Sequence, residues 1–388
     1  MNRFPSSCFL VVATLLGCSD DAVTDPTPGG GSLTAVTYNG GLAVGFVKAA
    51  ETRAPLTSQA VADLDADVVC VQEFWFDEHV QLLASAAQAK FPHQAFTEPD
   101  PGTTGTAACT DAELEPLATC AETAGCPEVC SDDLVSCVLG NCGPEFTATP
   151  DVCRGCLQAN VGKPYESVIS TCKSETSEFA FGGSFGIGLL SKYPIEEQEL
   201  TVLESSTNRR GILSGKVTTE LGEVHVLCTH LSAVFADIPY PKATGSWEEE
   251  QRAQIEQMIG MADAKAGTGR AMLLGDMNTG PAGEGHIAEV PDNYALFVAA
   301  GFANPYLDAA GHPCTFCADN PIIAAESNDD TQSVVIDHVL VRGFTEPATI
   351  ARVMDSPIEV ESCGEQIASA YSDHYGVSVT FTDAGAQQ

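Results

Sequence analysis

Eight short apolar segments are distributed along the chain, and stretches with helical periodicity separate them. The strand candidates are residues 33–39, 67–73, 185–191, 211–219, 223–231, 270–278, 333–342 and 375–382. They are rich in Val, Ile and Leu, and several alternate apolar and polar residues with period two, which is typical of strands. Strands and helices alternate along the whole chain, which predicts an α/β fold built from two packed sheets flanked by helices.

Two of the intervening helices carry recognisable start signals. Asp77 is expected to cap the first of them, whose inward face would carry Val80, Leu83, Ala86 and Ala87. Ser246 with Glu249 has the spacing of a capping box. The helix that it opens would turn inward Ile255, Met258, Ile259 and Ala262.

Cysteine is the second feature that limits the fold. The chain has 16 cysteines, which favours an oxidising compartment because the cytosol keeps thiols reduced. Residues 109–172 have few strand-like runs, and we interpret them as a cysteine-rich insertion stapled by disulfides. Its nine cysteines are Cys109, Cys120, Cys126, Cys130, Cys137, Cys142, Cys153, Cys156 and Cys172. Because nine is odd, one of them is expected to pair outside the insertion.

A zinc site is the alternative interpretation of this insertion. Zinc needs Cys or His ligands in paired spacing, and Cys153 with Cys156 alone has it. The segment contains no histidine, and an exported chain oxidises its thiols. Disulfides are therefore the prediction.

The cysteines outside the insertion divide into two groups. Cys70 and Cys228 lie within apolar strands and are expected to be buried free thiols. When Cys8, Cys18 and these two expected thiols are set aside, the whole chain has twelve cysteines left, which is an even number. This set consists of the nine in the insertion with Cys314, Cys317 and Cys363.

The first eighteen residues resemble a bacterial export signal. Arg3 supplies a positive charge, and the apolar run at 9–16 is too short to span a bilayer. Leu-Leu-Gly-Cys at 15–18 is similar to a lipobox. Residues 1–17 would then be a signal peptide, Cys18 the lipidated first residue, and 18–32 a flexible tether. A plain secretory signal that contains a cysteine is the alternative. No later stretch has about 18 uninterrupted apolar residues, so nothing else is expected to span a membrane.

The charge excludes one class of function. With 17 Lys and Arg against 53 Asp and Glu, the formal net charge is −36. A protein that coats nucleic acid regardless of sequence neutralises phosphates with Lys and Arg, and this chain cannot do so. A phosphodiesterase that recruits its positive charge as a metal ion is not excluded. Spontaneous docking on an anionic lipid surface is disfavoured.

Polar residues suited to catalysis lie at or near the ends of the apolar strands, where α/β folds gather their sites. The candidates are Asn39, Glu73, His230, Asp276, Asn278, Asp337, Asp373 and His374. Each has an ordinary alternative: a solvated strand end for Glu73, or a tight turn with Asx hydrogen bonds for 275–278. His225, on the same strand as His230, shows that histidines occur here without a necessary role. Six such signals in this order favour one shared site.

These motifs resemble the endonuclease/exonuclease/phosphatase family, metal-dependent phosphodiesterases that include pancreatic deoxyribonuclease, abasic-site endonucleases and neutral sphingomyelinases. The matching segments are Thr-Tyr-Asn at 37–39, Val-Gln-Glu at 71–73, Gly-Ile-Gly-Leu-Leu-Ser-Lys-Tyr-Pro at 186–194, Cys-Thr-His-Leu at 228–231, Leu-Gly-Asp-Met-Asn at 274–278, Ile-Asp-His-Val-Leu at 336–340 and Ser-Asp-His-Tyr-Gly at 372–376. The resemblance covers 33–383, interrupted by 109–172. It implies a four-layer α/β sandwich with two central mixed sheets, in agreement with the strand pattern.

A metal ion is the cofactor that the resemblance implies. A phosphodiester is an anion, so attack on it needs fixed positive charge beside it. A hard divalent cation with oxygen ligands supplies that charge; we expect Mg²⁺, with Mn²⁺ or another divalent cation as alternatives. Glu73 is expected to be its carboxylate ligand, with Asn39 and Asp373 contributing oxygen ligands directly or through water.

The remaining candidates are expected to handle the water and the phosphoryl group. His374 is the candidate general base, with Asp337 orienting its imidazole. Asp276 and Asn278 would align the attacking water or bind a second metal. His230 would hydrogen-bond the phosphoryl oxygen as charge develops. Which of Asp276 and His374 takes the proton stays open.

Two further features each have two interpretations. Arg209 and Arg210 either contact phosphate or are surface arginines. The insertion at 109–172 either stands beside the active-site mouth and selects substrate, or is a rigid surface lobe far from the phosphate.

Three functions stay open at this point. The first is a phospholipase C or sphingomyelinase-like enzyme anchored at the bacterial cell envelope. Thr-Phe at 315–316 and Asn-Pro at 320–321, ahead of 336–337, resemble the corresponding region of bacterial sphingomyelinases, although Cys314 and Cys317 depart from it. The second is a secreted or surface nuclease. The third is a non-catalytic surface binding protein, against which the intact site argues. We expect a monomer that contacts membrane only through its lipid anchor.

Overall fold

The computed structural model describes residues 31–102, 106–174, 179–235, 240–309, 311–326, 332–345 and 347–382. The expected signal peptide, the expected lipidation site Cys18 and nearly all of the tether lie outside these residues, as does residue 383. Among the helices within these ranges, none is both long enough and apolar enough to cross a membrane.

The strands form two large sheets and a hairpin. In chain order, the strands of the described residues are β1 (Ser32–Asn39), β2 (Val68–Gln72), β3 (His93–Phe96), β4 (Gly188–Ser191), β5 (Ile195–Leu203), β6 (Arg210–Thr219), β7 (Gly222–His230), β8 (Arg270–Asp276), β9 (Asp337–Arg342), β10 (Pro347–Val353), β11 (Ile358–Ser362), β12 (Glu365–Ser369) and β13 (Gly376–Thr382). One sheet has the order β10-β13-β1-β2-β4-β3 and the other β5-β6-β7-β8-β9, while β11 and β12 form the hairpin. Both large sheets are mixed, because β1 runs parallel to β2 and β7 parallel to β8 while the other pairs are antiparallel.

Helices lie between the strands. In the same part of the chain they are α1 (Ala50–Asp63), α2 (Asp77–Ala87), α3 (Asp111–Thr123), α4 (Ser131–Ala148), α5 (Asp151–Ala159), α6 (Tyr165–Ser174), α7 (Trp247–Ala266), α8 (Pro291–Ala299), α9 (Pro305–Asp308) and α10 (Pro321–Glu326). Ser246 caps α7 as expected, since its hydroxyl accepts a hydrogen bond from the Glu249 backbone N–H at 3.2 Å. Asp77 is not a cap: Phe76 occupies that position without a side-chain bond, and Asp77 lies in the first turn, where its charge favours the helix N-terminus.

The main core lies between the two large sheets. Alternate residues of each strand point into it, so Ala35 faces the other sheet while Val36 faces outward. On the far side of the first sheet, α1 and α2 cover a second cluster that includes Leu83 and Ala87. On the far side of the second sheet, α7 covers a third with Met258. The four-layer α/β sandwich is thereby confirmed.

Five strands have no counterpart among the sequence candidates. β3 and β5 lie at sheet edges and β11 with β12 forms the small hairpin. β5 is largely exposed in its middle, and β10 pairs only with β13 in its sheet. Such strands bury few side chains and therefore lack the continuous apolar run that marks the central strands.

Cys70 and Cys228 are not free thiols, contrary to expectation. They form a disulfide across 158 residues of sequence, which joins β2 of one sheet to β7 of the other. Both side chains point into the core between the sheets, and this shared orientation brings two residues together that the sequence shows only as parts of separate apolar strands.

The insertion folds as a helical lobe made of α3 to α6. Its own core combines half-cystines with Leu114, Leu117 and Leu157. Four disulfides lie within it: Cys109–Cys153, Cys120–Cys142, Cys126–Cys137 and Cys156–Cys172. The ninth cysteine pairs outward as Cys130–Cys363, and Cys314–Cys317 completes the expected set of twelve. Disulfides, and not the zinc alternative, therefore account for these cysteines.

The lobe is fastened to the sandwich near the hairpin. The Asp132 carboxylate accepts hydrogen bonds from the Ser362 hydroxyl at 2.7 Å and from the Ala49 backbone N–H at 3.2 Å. Lys48 lies 3.5 Å from the Asp133 carboxylate. These contacts hold the lobe against the loop that follows β1, and that loop borders the site described next.

Candidate active site

The carboxyl ends of four strands meet at one rim of the sandwich. Asn39 ends β1 and Glu73 directly follows β2, and these strands are parallel neighbours. His230 ends β7 and Asp276 ends β8, and these two residues are register partners. Because the carboxyl ends of parallel strands lie at the same edge of a sheet, each pair is adjacent. The stacking of the two sheets then brings the pairs together.

Asn39 connects the two pairs. Its buried side-chain amide donates to Asp276 Oδ2 at 2.9 Å and to Glu73 Oε1 at 3.2 Å. Its carbonyl oxygen accepts the Gly41 backbone N–H at 2.9 Å. One side chain thus sets the separation of two carboxylates that belong to different sheets.

Glu73 and Asp373 form the acidic side of the rim. Glu73 has a left-handed backbone conformation, with φ of 61°, and its Oε2 accepts the Trp75 indole N–H at 3.4 Å. Burial raises the pKa of Glu73, and the nearby Asp373 charge raises it further. Gly41 is also left-handed, and a Cβ there would clash with the Asp373 carboxylate. The loop after β1 therefore lies directly against Asp373.

His374 and Asp337 form a buried pair. His374 Nδ1 lies 2.9 Å from Asp337 Oδ2. Burial by itself would lower the pKa of His374, but the Asp337 charge and hydrogen bond raise it well above its ordinary value. Asp337 is held from behind, because its backbone N–H donates to the Thr315 hydroxyl at 3.2 Å. The Phe316 ring stands edge-on to His374 with centroids 5.1 Å apart.

Asp276 lies between the two histidines of the site. Its Oδ2 is 3.5 Å from His230 Nε2 and 3.9 Å from His374 Nε2. Burial, followed by the Asp337 charge, raises the pKa of Asp276 to about 7. Burial, with the nearby positive charge of Arg210, lowers the pKa of His230 well below its ordinary value. Around neutral pH the site therefore combines a neutral His230, a protonated His374 and an Asp276 close to its midpoint.

Asn278 follows Asp276 in a left-handed conformation, with φ of 50°. Its backbone N–H donates to Asp276 Oδ1 at 2.9 Å, which is the Asx turn considered as the ordinary alternative. Its side-chain amide donates to the Leu231 carbonyl at 3.0 Å, and the residue also lines the pocket. The segment that carries Asp276 and Asn278 therefore forms the Asx turn and also contributes to the site.

The two neighbouring arginines have different environments. Arg209 binds the Asp100 carboxylate at 2.6 Å and lies 4.0 Å from the Phe179 ring centroid, away from the site. Arg210 is buried and, together with Glu73, His230, Asp276 and His374, lines one pocket, called the catalytic pocket below. Its Nε and Nη1 have no hydrogen-bond partner among the described residues. Burial lowers the pKa of Arg210 to about 10, so its guanidinium is charged at neutral pH.

A pocket of about 200 Å³ collects these groups. The polar residues that line it include Glu73, Arg210, His230, Asp276, Asn278 and His374. Asn39 and Asp337 are fully buried behind it, and Asp373 stands beside Glu73 without lining the pocket. The apolar wall includes Phe46, Trp75, Phe181, Phe235 and Trp247. Gln158 of the insertion lobe also lines it, so the lobe reaches the mouth of the pocket.

Sequence reasoning missed several residues of the site. Arg53 of α1 is fully buried and donates to the Gly40, Gly41 and Tyr371 carbonyls, which ties the loop carrying Asn39 to the segment before Asp373. No sequence signal marks it. Trp75 and Phe181 stack with centroids 4.8 Å apart, and nothing in the sequence links them. Thr315 lies in a segment that the sequence did single out, and its role in supporting Asp337 appears only in the structure.

The residues present fit a hard divalent cation. Glu73 and Asp373 offer carboxylate oxygens, the ligands that Mg²⁺ and Ca²⁺ prefer. The Asn39 amide oxygen already accepts the Gly41 N–H, so its second lone pair is the one that could meet an ion or a water bound to it. Burial and then the neighbouring Asp373 charge raise the pKa of Glu73, and a bound cation would favour its charged form. Asp276, Asp337 and His374 form a second group of possible metal ligands. One ligand atom from each of them lies within 4.8 Å of the other two.

Comparisons with known proteins agree with this fold. Among solved structures, the chain is similar to sphingomyelinase C from Streptomyces griseocarneus, with 19% identity, a TM-score of 0.53 and coverage of 90% of this chain and 99% of that one. The chain is also similar to a mutant of beta toxin from Staphylococcus aureus with bound magnesium ions. The identity is 14% and the TM-score 0.55, with coverage of 90% of this chain and 99% of that one. For SmcL the identity is 15% and the TM-score 0.53, with coverage of 92% of this chain and 100% of that one. At these identities the likeness establishes the fold.

The sequence comparisons supply the family. No curated protein matches the chain significantly. The Endonuclease/Exonuclease/phosphatase family matches residues 48–374, a range that contains every candidate catalytic or metal-binding residue named above except Asn39. The chain therefore belongs to the endonuclease/exonuclease/phosphatase family of metal-dependent phosphodiesterases.

Proposed function

We propose that this enzyme is a Mg²⁺-dependent hydrolase of lipid phosphodiesters, of the phospholipase C or sphingomyelinase type, acting outside the cytoplasm. One observation carries the reaction class. The Asp337–His374 pair, Asp276 and His230 converge within hydrogen-bonding or ion-pair distances, next to the oxygen set of Glu73, Asn39 and Asp373.

The protein groups divide the work of an in-line attack by water. Asp276, with a pKa of about 7, lies in the range that suits a general base near neutral pH. His374 is held protonated by Asp337, and we propose that its imidazolium stabilises charge that develops on the phosphoryl group. The sequence expectation that His374 itself is the base stays the alternative. When bound at Glu73, Asn39 and Asp373, the divalent ion would supply positive charge to the phosphoryl oxygens.

His230 and Arg210 complete the phosphoryl site. Neutral His230 can donate or accept one hydrogen bond at each ring nitrogen, and its Nδ1 has no partner among the described residues. The guanidinium of Arg210, which lines the pocket, has two buried nitrogens without a partner among the described residues, and planar guanidinium matches the geometry of phosphate oxygens.

The pocket favours a lipid over a nucleic acid. Arg210 is its one lysine or arginine among the described lining residues, and half of the remaining lining residues are aromatic or aliphatic. Phe46 and Phe235 at the pocket are 45% and 38% exposed. A nucleic-acid groove needs several cations along the backbone, and the formal charge of −36 works against one. A nuclease is the second candidate because divalent ions can bridge acidic protein and phosphate.

A substrate panel tests the proposal. The purified enzyme is assayed with Mg²⁺ or with EDTA on sphingomyelin, phosphatidylcholine, DNA, RNA and bis(p-nitrophenyl) phosphate. We expect Mg²⁺-dependent release of phosphocholine from a lipid and cleavage of the nitrophenyl substrate. Preferential cleavage of DNA or RNA would identify the nuclease instead. No turnover of any substrate with any divalent ion would leave the non-catalytic binding protein.

Replacing Arg210 by Gln is expected to lower kcat/KM by about 10–10² with every phosphodiester, because a hydrogen bond to a charged group contributes about 1.5–3 kcal/mol. Arg209→Gln is the matched control, since Arg209 is one residue away and bound to Asp100 outside the pocket. Equal kcat/KM values for the two variants, measured on bis(p-nitrophenyl) phosphate, would remove Arg210 from the phosphate site.

Replacing Cys18 by Ser tests the lipid anchor. If Cys18 carries the acyl chains of a bacterial lipoprotein, the wild-type chain partitions into detergent and is labelled by palmitate, and the variant loses both properties. Two or more chains anchor stably where one is marginal, so the difference between the two proteins is large. A mature N-terminus away from Cys18 and without lipid would leave plain secretion.

A further inference from the structure

A second cavity lies among the helices of the insertion lobe, where the loop after β1 packs against them. Its volume is about 340 Å³, within the size range of small-molecule sites. Side chains from α3, α4, α5 and α6 surround it, among them Leu117, Leu134, Val138, Phe146, Leu157 and Ile169. We call it the lobe cavity.

The lobe cavity adjoins the catalytic pocket. Phe46, in the loop after β1, and Gln158, at the end of α5, line both spaces. That loop lies tightly on the lobe, because a Cβ on Gly45 would come within 2.8 Å of the Gly162 backbone nitrogen. The lobe cavity and the catalytic pocket are therefore neighbours that share Phe46 and Gln158 as part of their walls.

The charged groups that line the lobe cavity already have hydrogen-bond partners within the protein. Arg154 donates to the Thr147 and Thr149 carbonyls and to the Asp151 carboxylate. Lys163 donates to the Asn160 side-chain oxygen at 2.7 Å. Because these cations have protein partners and the rest of the wall is mainly apolar, the lobe cavity suits an uncharged hydrocarbon and not a second phosphate.

We infer that the lobe cavity takes a hydrocarbon chain of the lipid whose phosphodiester lies in the catalytic pocket. The inference rests on the proposed function and deepens it, since it names the part of the substrate that the insertion recognises. Apolar recognition also suits the strong negative charge of the chain, which prevents attraction to anionic membranes. Each methylene removed from water multiplies binding by roughly fourfold, so the length of the chain sets the expected selectivity.

Two soluble substrates isolate this effect. Hexylphosphocholine and dodecylphosphocholine carry the same phosphodiester and headgroup, and both are used below their critical micelle concentrations. The variant Val138→Phe enlarges a half-buried side chain of the cavity wall. Ile169→Phe enlarges a side chain of the cavity wall on α6. It shows whether an effect of Val138→Phe comes from the filled cavity or from a local defect in α4. Val152→Phe is the matched control, because Val152 is 70% exposed on α5 and does not line the cavity.

The wild-type enzyme and Val152→Phe are expected to prefer the dodecyl substrate in kcat/KM by at least about tenfold. Both filling variants are expected to lose most of that preference while unfolding at an unchanged temperature. Equal preference in all four proteins, or no preference in the wild type, would overturn the inference.

Failure of the proposed function has a different signature. If the enzyme cleaves bis(p-nitrophenyl) phosphate but neither hexylphosphocholine nor dodecylphosphocholine, the proposal of a lipid substrate is wrong. Calorimetric titration with dodecylphosphocholine then tests the cavity by itself. Binding that both filling variants weaken at least about tenfold and Val152→Phe does not would support a hydrocarbon site. Absence of binding to the wild type would overturn it.

Discussion

Replacing His374 by Ala is expected to lower kcat at saturating bis(p-nitrophenyl) phosphate by about 10²–10⁴, the usual contribution of a positioned acid–base or charge-stabilising group. His374 is the group through which the buried Asp337 carboxylate acts on the pocket, at 2.9 Å from one ring nitrogen. The loss follows whether His374 accepts the proton or carries positive charge beside Asp276, because the variant removes both possibilities. The kcat of His230→Ala is expected to fall by at least the same factor.

Glu73→Ala is expected to abolish activity with every phosphodiester, because it removes the carboxylate that we expect to bind the divalent ion. His225→Ala is the matched control for the histidines. His225 lies on β7, five residues before His230, and does not line the pocket. Circular dichroism and thermal unfolding establish that each variant is folded. A variant at Glu73, His230 or His374 with near-wild-type kcat would exclude that residue from the mechanism.

The disulfide between Cys70 and Cys228 is expected to make the largest single contribution to stability among the cross-links that the structure describes within the sandwich. The bond closes a loop of 158 residues, and the chain-entropy relation gives about 5 kcal/mol for a loop of that length. We expect the double variant Cys70→Ala with Cys228→Ala to lose about 2–5 kcal/mol of unfolding free energy, measured by guanidinium denaturation.

Cys314→Ala with Cys317→Ala is the control for this prediction. That disulfide spans a sequence separation of three residues, so the same relation gives less than about 2 kcal/mol. Equal denaturation midpoints for the two double variants would contradict the loop-entropy explanation. A wild-type midpoint for the Cys70 and Cys228 variant would show that the bond contributes nothing to the stability of the sandwich.

Much of the site could be predicted because its residues are attached to central strands. A buried strand is recognisable from its own apolar pattern, and the residue at its carboxyl end is then known by position. Asn39, His230 and Asp276 end strands, Glu73 directly follows one, and the structure brings all four together. The variants above test whether Glu73 and His230 act as expected.

Other parts of the site depend on which way a side chain faces. Arg209 and Arg210 are adjacent, and successive residues of an extended chain point to opposite sides. The sequence therefore could not tell which of them meets phosphate. Arg53 was missed for a similar reason, because only its burial and orientation let it join the Gly40 and Gly41 carbonyls of the loop after β1 to the distant Tyr371 carbonyl.

The amino-acid sequence by itself determined the α/β class, the family, the disulfide-stapled insertion and the residues at the strand ends. Each of these depends on local pattern or on the count and order of residues. Only the tertiary structure decided that Cys70 pairs with Cys228, and that the lobe shares Phe46 and Gln158 with the catalytic pocket. These contacts depend on how two sheets stack and where a helical lobe rests. Both arrangements are set by packing among residues far apart in the chain, which no local pattern records.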